Sequence, residues 1–365
     1  MRVLVLWATE TSPNLGVRVL AAGTAALVHR VWPLAEITFH NYGEREPHLP
    51  IGRLRSLFWE RVLGRRGMQD WLRGFDLVVD TRSGDSFSDI YGLHRHAIMT
   101  AVAEFAVQAG VPVILGPQTI GPFRTATGTA LARRTLSRVS LVLARDERSA
   151  RVAESLVRAR VIRTTDVVFA LPVPAPVGKR DVILNVSGLL WQPNPHVDSE
   201  LYRSALAHTH DSLVAAGRTV SVLAHVVESG NADSDARAAH EFAARAPDVE
   251  VIIPSGLSDV RGILAGSRSI VGSRMHACLN ALSVGTPAVP LAYSDKFAPL
   301  LEGIGWDHTV DLRDADRTGG VDVARLVLAQ LAAAEAHSTA GVRERAAASL
   351  SAAEFALARS SPVPQ

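Results

Sequence analysis

Short apolar runs alternate along the chain with longer stretches in which apolar residues recur every three or four positions. RVLVLWA opens as a strand, SPNLG turns, and VRVLAAGTAALVHRV continues with helical spacing. EITFH, FDLVVD, VPVILG and LVLAR read as further strands, with helices expected near residues 94–109, 126–138 and 146–157. Strands that are apolar throughout bury both of their faces. Separated by helices, they predict a parallel sheet covered on two sides.

The alternation breaks at LPVPAPVGKR, residues 171–180. Its prolines and glycine suit an extended linker, since proline can neither continue a helix nor donate to a sheet. The pattern restarts with DVILNVS, a helix near 199–216, TVSVLAHV, a helix near 233–246, EVIIP, a short helix and SIVG. A further helix, the strand PAVPLAY, an alanine-rich amphipathic helix over about 321–337 and a last helix with a frayed tail complete it. The expected organisation is an N-terminal Rossmann-like domain over 1–172, a linker over 173–180, a C-terminal Rossmann-like domain over 181–340, and a terminal helix and tail over 341–365. Two such α/β domains are expected to face a central cleft, and ligands of such sheets bind beyond the carboxyl ends of the strands.

Composition narrows the class. With 47 % apolar and 20 % charged residues in 365, the chain reads as an ordinary globular protein long enough for two domains. A net charge of +2 is too small to argue for nucleic acid or a membrane surface as partner. The one cysteine, Cys278, excludes an internal disulfide and a multi-cysteine metal site, and its apolar neighbours make it a buried structural thiol. The first apolar run meets a turn too early for a signal sequence, and no run approaches the ~20 residues of a membrane span. A cytoplasmic location is expected.

The chemistry concentrates in GSRMHACLNALSVGTPAVPLAYSDK, residues 272–296. Ser273 is the expected N-cap of a helix, Gly285 its C-terminal cap and Pro287 the stop beyond, with Met275, Leu279 and Leu282 on one buried stripe. Arg274 and His276 then occupy the first turn, where the helix dipole prefers acids, and Lys296 closes the stretch. Such a cluster of cations at a strand end predicts an anion, held by free N–H groups of the helix start and by a bidentate Arg274. Taken singly, His276 fits equally a satisfied, half-buried histidine and Arg274 a surface ion pair.

SRMHACLNALSVGTPAVPLAYSDK resembles the signature of the polysaccharide pyruvyl transferase family: a Ser-Arg-x-His helix start, a Gly-x-Pro strand and Tyr-x-x-Lys. Arg274, His276, Tyr293 and Lys296 match it in place. GPQTIGPF (116–123), LARDERS (143–149) and SGDSFSDIYG (83–92) are similar to three further blocks, so the resemblance spans both halves. It implies a GT-B-like fold and transfer of a pyruvyl group from phosphoenolpyruvate to hydroxyls of a carbohydrate acceptor, with release of phosphate, in polysaccharide and cell-envelope biosynthesis. It implies phosphoenolpyruvate as donor substrate with no cofactor and no metal, and a lipid- or nucleotide-linked carbohydrate as acceptor.

By the same resemblance His276 is the general acid, Arg145 and Arg274 hold the donor, and Lys296 lies near it. Substrate contacts are expected from Ser273, Met275, Tyr293, Gln118, Thr119, Asp85, Asp89, His225 and Asn14, with the acceptor on the N-terminal side and the donor on the C-terminal side. Ordinary alternatives stand beside these. Arg145 can pair with Asp146 or Glu147, GPQTIGPF can simply shape a loop, and His94 and His96 read as solvated surface histidines. Two departures fall in the N-terminal half. Asn14-Leu15-Gly16-Val17 stands where the family has Asn-x-Gly-Asp, and Arg82 in DTRSGD stands where a glycine is more usual. Two other functions fit the pattern: a GT-B glycosyltransferase using a nucleotide sugar, and a catalytically silent homologue that binds an anionic metabolite or a partner.

Overall fold

The computed structural model describes residues 1–42, 51–64, 67–227, 233–246, 248–314 and 319–360. The chain divides into two compact units. One is Met1–Glu10, Leu20–Leu171 and Ala346–Gln365; the other is Thr11–Val19 and Pro172–Arg345.

The first unit is a parallel sheet of six strands: β1 Arg2–Leu6, β2 Glu36–His40, β3 Leu77–Asp80, β4 Val113–Gln118, β5 Leu141–Ala144 and β6 Val161–Arg163, in the order β2-β1-β3-β4-β5-β6. Its helices include α1 Leu15–Val31 from Leu20 onward, α2 Leu54–Leu63, α3 Met68–Leu72, α4 Leu93–Gln108, α5 Ala126–Leu136 and α6 Glu147–Leu156. Every residue of β3, β4 and β5 is buried, which is why these segments are apolar without alternation. The strand order reverses direction between β1 and β3, and such a switch point opens a crevice beyond the carboxyl ends. Trp7, Arg82 and Ser83, all non-glycine residues with left-handed backbone (φ 65°, 46° and 52°), sit at those two strand ends. Backbone of this kind costs ~1–3 kcal/mol per residue and collects at functional sites.

The second unit repeats the plan with β7 Arg180–Asn185, β8 Val220–Leu223, β9 Glu250–Ile252, β10 Ser267–Gly272, β11 Ala288–Ala292 and β12 Val310–Asp311, in the order β12-β11-β10-β7-β8-β9. Its helices are α7 Gly188–Trp191, α8 Ser199–Ala215, α9 Asp235–Ala243, α10 Leu257–Ala265, α11 Met275–Val284, α12 Phe297–Ile304 and α13 Gly320–Ala336, and α14 Ala340–Ala358 follows. The switch point falls between β7 and β10.

Two segments depart from the expected division. Thr11–Val19, assigned by sequence to the N-terminal domain, belongs to the second unit. Asn14 forms an antiparallel bridge with Val226, Val227 N donates to Pro13 O (2.9 Å), and Leu15 N donates to His225 O (3.1 Å). The terminal helix, expected as a separate piece, is shared: from Ala346 it belongs to the first unit and buries Leu350, Ala353, Ala356 and Leu357. The proline-rich linker is tied down as well, with Val177 N donating to Gly262 O at 2.8 Å.

Candidate functional site

The carboxyl edge of the second sheet gathers Asn185 at the end of β7 and Ser187 beyond it, His225 after β8, Ser273 and Arg274 after β10, and Tyr293 and Lys296 after β11. Arg274, in extended conformation, is the N-cap of α11, one residue later than expected. Ser273 instead hydrogen-bonds the Tyr202 hydroxyl (2.7 Å), which also accepts from Ser187 N (2.9 Å). Asn185 stitches the switch point: its Oδ1 accepts from Arg274 N (2.9 Å) and its Nδ2 donates to Leu223 O (3.0 Å). Gly285, at φ 99°, ends α11 as its C-cap. Cys278 is buried against Gly272 O, and burial pushes its thiol pKa well up, which leaves it inert.

Arg274 is held by two carboxylates that sequence reading missed. Its Nε and Nη2 donate to Asp235 Oδ1 (3.1 and 2.8 Å), and Nη2 also reaches Asp233 Oδ1 (2.5 Å). Burial opposes the guanidinium charge, yet Asp235 and Asp233 outweigh it and hold its pKa above the usual value. Fully buried Asp235 is the hub. It accepts from Gly188 N (2.8 Å), His225 N (3.1 Å) and Val226 N (3.0 Å), so one carboxylate binds the segments after β7 and β8 to Arg274 after β10. Its only sequence signal was its place at the start of a helix after a loop rich in small polar residues.

His276, in the first turn of α11, is positioned by its own helix. Asn280 Nδ2 donates to His276 O (2.7 Å) and to His225 Nε2 (3.2 Å), while Asn280 Oδ1 accepts from buried Arg261 (3.1 Å), which sets the amide's orientation. His225 Nε2 is therefore an acceptor. Burial first, then the charges of His276 and Arg274, push the His225 pKa well below the usual histidine value. A Cβ on Gly16 would stand 2.8 Å from His276 Nδ1, and Asn14 Oδ1 accepts from Gly16 N (2.9 Å). The altered first loop thus lies against His276 in the second unit rather than in the N-terminal unit to which its place in the sequence assigned it. Beside it Tyr293 packs its ring on His196 (5.3 Å) and Phe297 (5.4 Å), and burial together with Lys296 lowers the His196 pKa.

The carboxyl edge of the first sheet gathers a second group. Gln118 ends β4 and donates to Asp80 O (3.2 Å); Thr119 Oγ1 accepts from Arg145 Nε (2.8 Å). Buried Arg145 pairs with Asp166 (3.1 Å) rather than with its sequence neighbours. Asp146 caps α6 through Ser149 N (2.7 Å), and Glu147 pairs with Arg163 (2.7 Å). Arg82, also fully buried, pairs with Asp80 (2.8 Å) and lies over the Phe87 ring (4.6 Å). Ser83 accepts from Arg95 Nη2 (2.9 Å), and the Arg95 guanidinium lies over the Tyr42 ring (5.2 Å), itself 6.1 Å from Trp7. Asp85 accepts from the Tyr91 hydroxyl (2.8 Å).

Two residues here are tied into the surrounding structure. Asp89 accepts from Arg124 N (2.8 Å), Thr125 N (2.7 Å) and Thr125 Oγ1 (2.7 Å); burial raises its pKa, but these bonds outweigh it and lower it. Its carboxylate is committed to the loop before α5. His96, expected on the surface, is buried beside Phe87 and Phe123 with Nε2 3.1 Å from Gly128 O, and burial, then Arg82, lowers its pKa to about 4. The His94 side chain is exposed, as expected.

Among the described residues one group has metal-ligand spacing: Asp307, His308 and His337, outside both edges. His308 Nε2 and His337 Nδ1 are 2.9 Å apart, the geometry of one ring N–H donating to the other ring, and Asp307 is 88 % exposed.

Two doubly wound sheets with their polar clusters at the carboxyl edges define a GT-B-like protein, and solved structures share that fold. A UDP-GlcNAc 2-epimerase from Neisseria meningitidis bound to UDP-GlcNAc is 11 % identical, covering 90 % of this chain and 99 % of that one, with a TM-score of 0.53. Anabaena HepE in complex with UDP and glucose is 12 % identical, covering 98 % of each, TM-score 0.54. S. aureus MnaA with UDP is 13 % identical, covering 90 % and 87 %, TM-score 0.55. No curated protein matches the chain. The model of the family Polysaccharide pyruvyl transferase matches residues 14–295, and the chain belongs to that family.

Proposed function

We propose that the chain transfers a pyruvyl group from phosphoenolpyruvate to hydroxyls of a carbohydrate, releasing phosphate. The observation that carries this reading is the seating of His276 at the switch point of the second sheet, with Arg274 and Lys296 at the same edge. The donor carries a carboxylate and a phosphate. The start of α11 offers backbone N–H groups to them, and Lys296 and the Nη1 edge of Arg274 offer charge. Asp233 and Asp235 offset the Arg274 charge, so Arg274 contributes as much by holding the loop as by meeting the donor.

His276 gives a proton to the donor's methylene carbon, the class of transfer for which imidazole is suited near neutrality. C2 becomes electrophilic, and a sugar hydroxyl adds there and loses its proton. The C2–O bond to phosphate then breaks, and a second hydroxyl closes the ketal. The acceptor is assigned to the edge of the first sheet, where Thr119, Gln118, Asp85 and the Trp7–Tyr42–Arg95 group offer hydroxyl, amide, carboxylate and aromatic surfaces suited to a sugar. Arg145, locked on Thr119 and Asp166, orients that edge. A lipid- or nucleotide-linked sugar is the acceptor class this reading takes.

Thermal shift tests the donor. Phosphoenolpyruvate should raise the melting temperature, by RT ln(1 + [L]/Kd), while UDP and GDP should not. The reverse pattern would favour a nucleotide-sugar transferase. Loss of His276 in a His276→Ala variant should cut phosphate release by about a hundredfold or more; near-normal turnover with an intact fold would sink the acid assignment.

A further inference from the structure

Helix α2 is built outside in. Its inward face carries Leu57 and a buried carboxylate, Glu60, whose Oε1 accepts from Gln69 N (3.2 Å). Its outward face carries Leu54, Phe58 and Val62 at 39, 60 and 56 % exposure, one stripe at i, i+4 and i+8, with Leu63 at 51 % beside it. Exposed Arg55 and Arg61 flank the stripe on its two sides, and half-buried Trp59 packs edge-on against the Phe58 ring (5.7 Å). The segment RLRSLFWERVLGRR, residues 53–66, holds five arginines and one acid, and that acid is the inward-facing Glu60.

We infer that α2 docks this protein on an anionic membrane surface, lying in the headgroup layer with the Leu54–Phe58–Val62 stripe in the acyl boundary. Apolar stripes of this kind on a helix mark an interaction face. Charge decides what covers this one. An outward face with flanking arginines and no acid matches anionic headgroups, and arginine stems extend along an apolar surface while their heads reach phosphate. Aromatic rings beside the stripe suit the same boundary. Self-pairing of two such faces would set arginine against arginine, which opposes a homodimer through α2. Docking of this kind needs no spanning segment, and no described helix is long and apolar enough to be one. The inference does not rest on the reaction proposed above.

Vesicle sedimentation of the full chain, without substrates, tests it. The chain should pellet with phosphatidylcholine vesicles containing phosphatidylglycerol, not with phosphatidylcholine alone, and less as salt rises. Phe58→Ser with Val62→Ser should weaken that partitioning by about tenfold or more, since each removes an apolar side chain from the boundary. Arg55→Ser with Arg61→Ser should weaken it and flatten its salt dependence. All four positions are exposed, so the melting temperature should stay within a few degrees of the parent and report an intact fold. Failure to bind anionic vesicles, or equal binding by the Phe58/Val62 variant, overturns the inference. So does a dimer by analytical ultracentrifugation that this variant abolishes, which would give the face to a second copy.

Discussion

Asp235 and His96 show how much a single buried polar residue decides here. Asp235 accepts three backbone N–H groups and the Arg274 guanidinium, so an amide in its place would turn a donor toward donors. Asp235→Asn should therefore cost about 3 kcal/mol in urea unfolding, the range for breaking a buried pair. His96 and His225 are both buried neutral, with pKa values below the usual histidine value. The unfolded chain binds their protons first as pH falls, so their contribution to stability is full above about 6.5 and is lost from there down through the folded values, about 4 for His96. Urea midpoints should fall over that window, and His96→Gln should flatten the slope. An unchanged slope would mean that His96 is not the group titrating. The burial of His96 was not legible in sequence: a histidine beside a helix start looks solvated until two phenylalanine rings are seen around it.

At the scale of elements, the strands and most helices were legible because their apolar positions face the core. Helix α2 was not, since its apolar stripe faces outward and its buried pole holds Glu60, so its periodicity pointed to no core face. Helix α11 was legible in full apart from its cap, and what positions its histidine lies partly on α1. Gly16 leaves room for the His276 ring, and a methyl group 2.8 Å from Nδ1 would push the ring aside. Gly16→Ala should therefore lower phosphate release by about tenfold to a hundredfold, with little change in KM for phosphoenolpyruvate, as expected when a reacting group is misplaced. A loss confined to KM would place Gly16 in binding instead.

For the whole molecule, the C-terminal end of the chain does not stay with the half in which it is written. Residues 346–360 complete the first unit, where Glu354 pairs with Arg30 (2.9 Å) and Ser349 O accepts from Thr164 (3.2 Å). Truncation after Arg345 should raise hydrogen exchange in α1, β5 and β6 far more than in β7 to β10; uniform protection loss would contradict that division. A net charge of +2, which argued against a membrane surface, is an average over the chain. The arginines around α2 are concentrated in one segment, and charge acts over about a Debye length rather than a whole chain. The sequence by itself determined the two parallel sheets, the family and the residues at the strand ends, because fully buried strands and strand-end motifs are written in contiguous residues. Tertiary structure alone decided that Arg274 meets Asp233 and Asp235, that Arg145 meets Asp166 rather than Asp146, and that the first loop shelters His276. Those pairings join residues tens to hundreds of positions apart, and only the packing of neighbouring strand ends and loops brings them together.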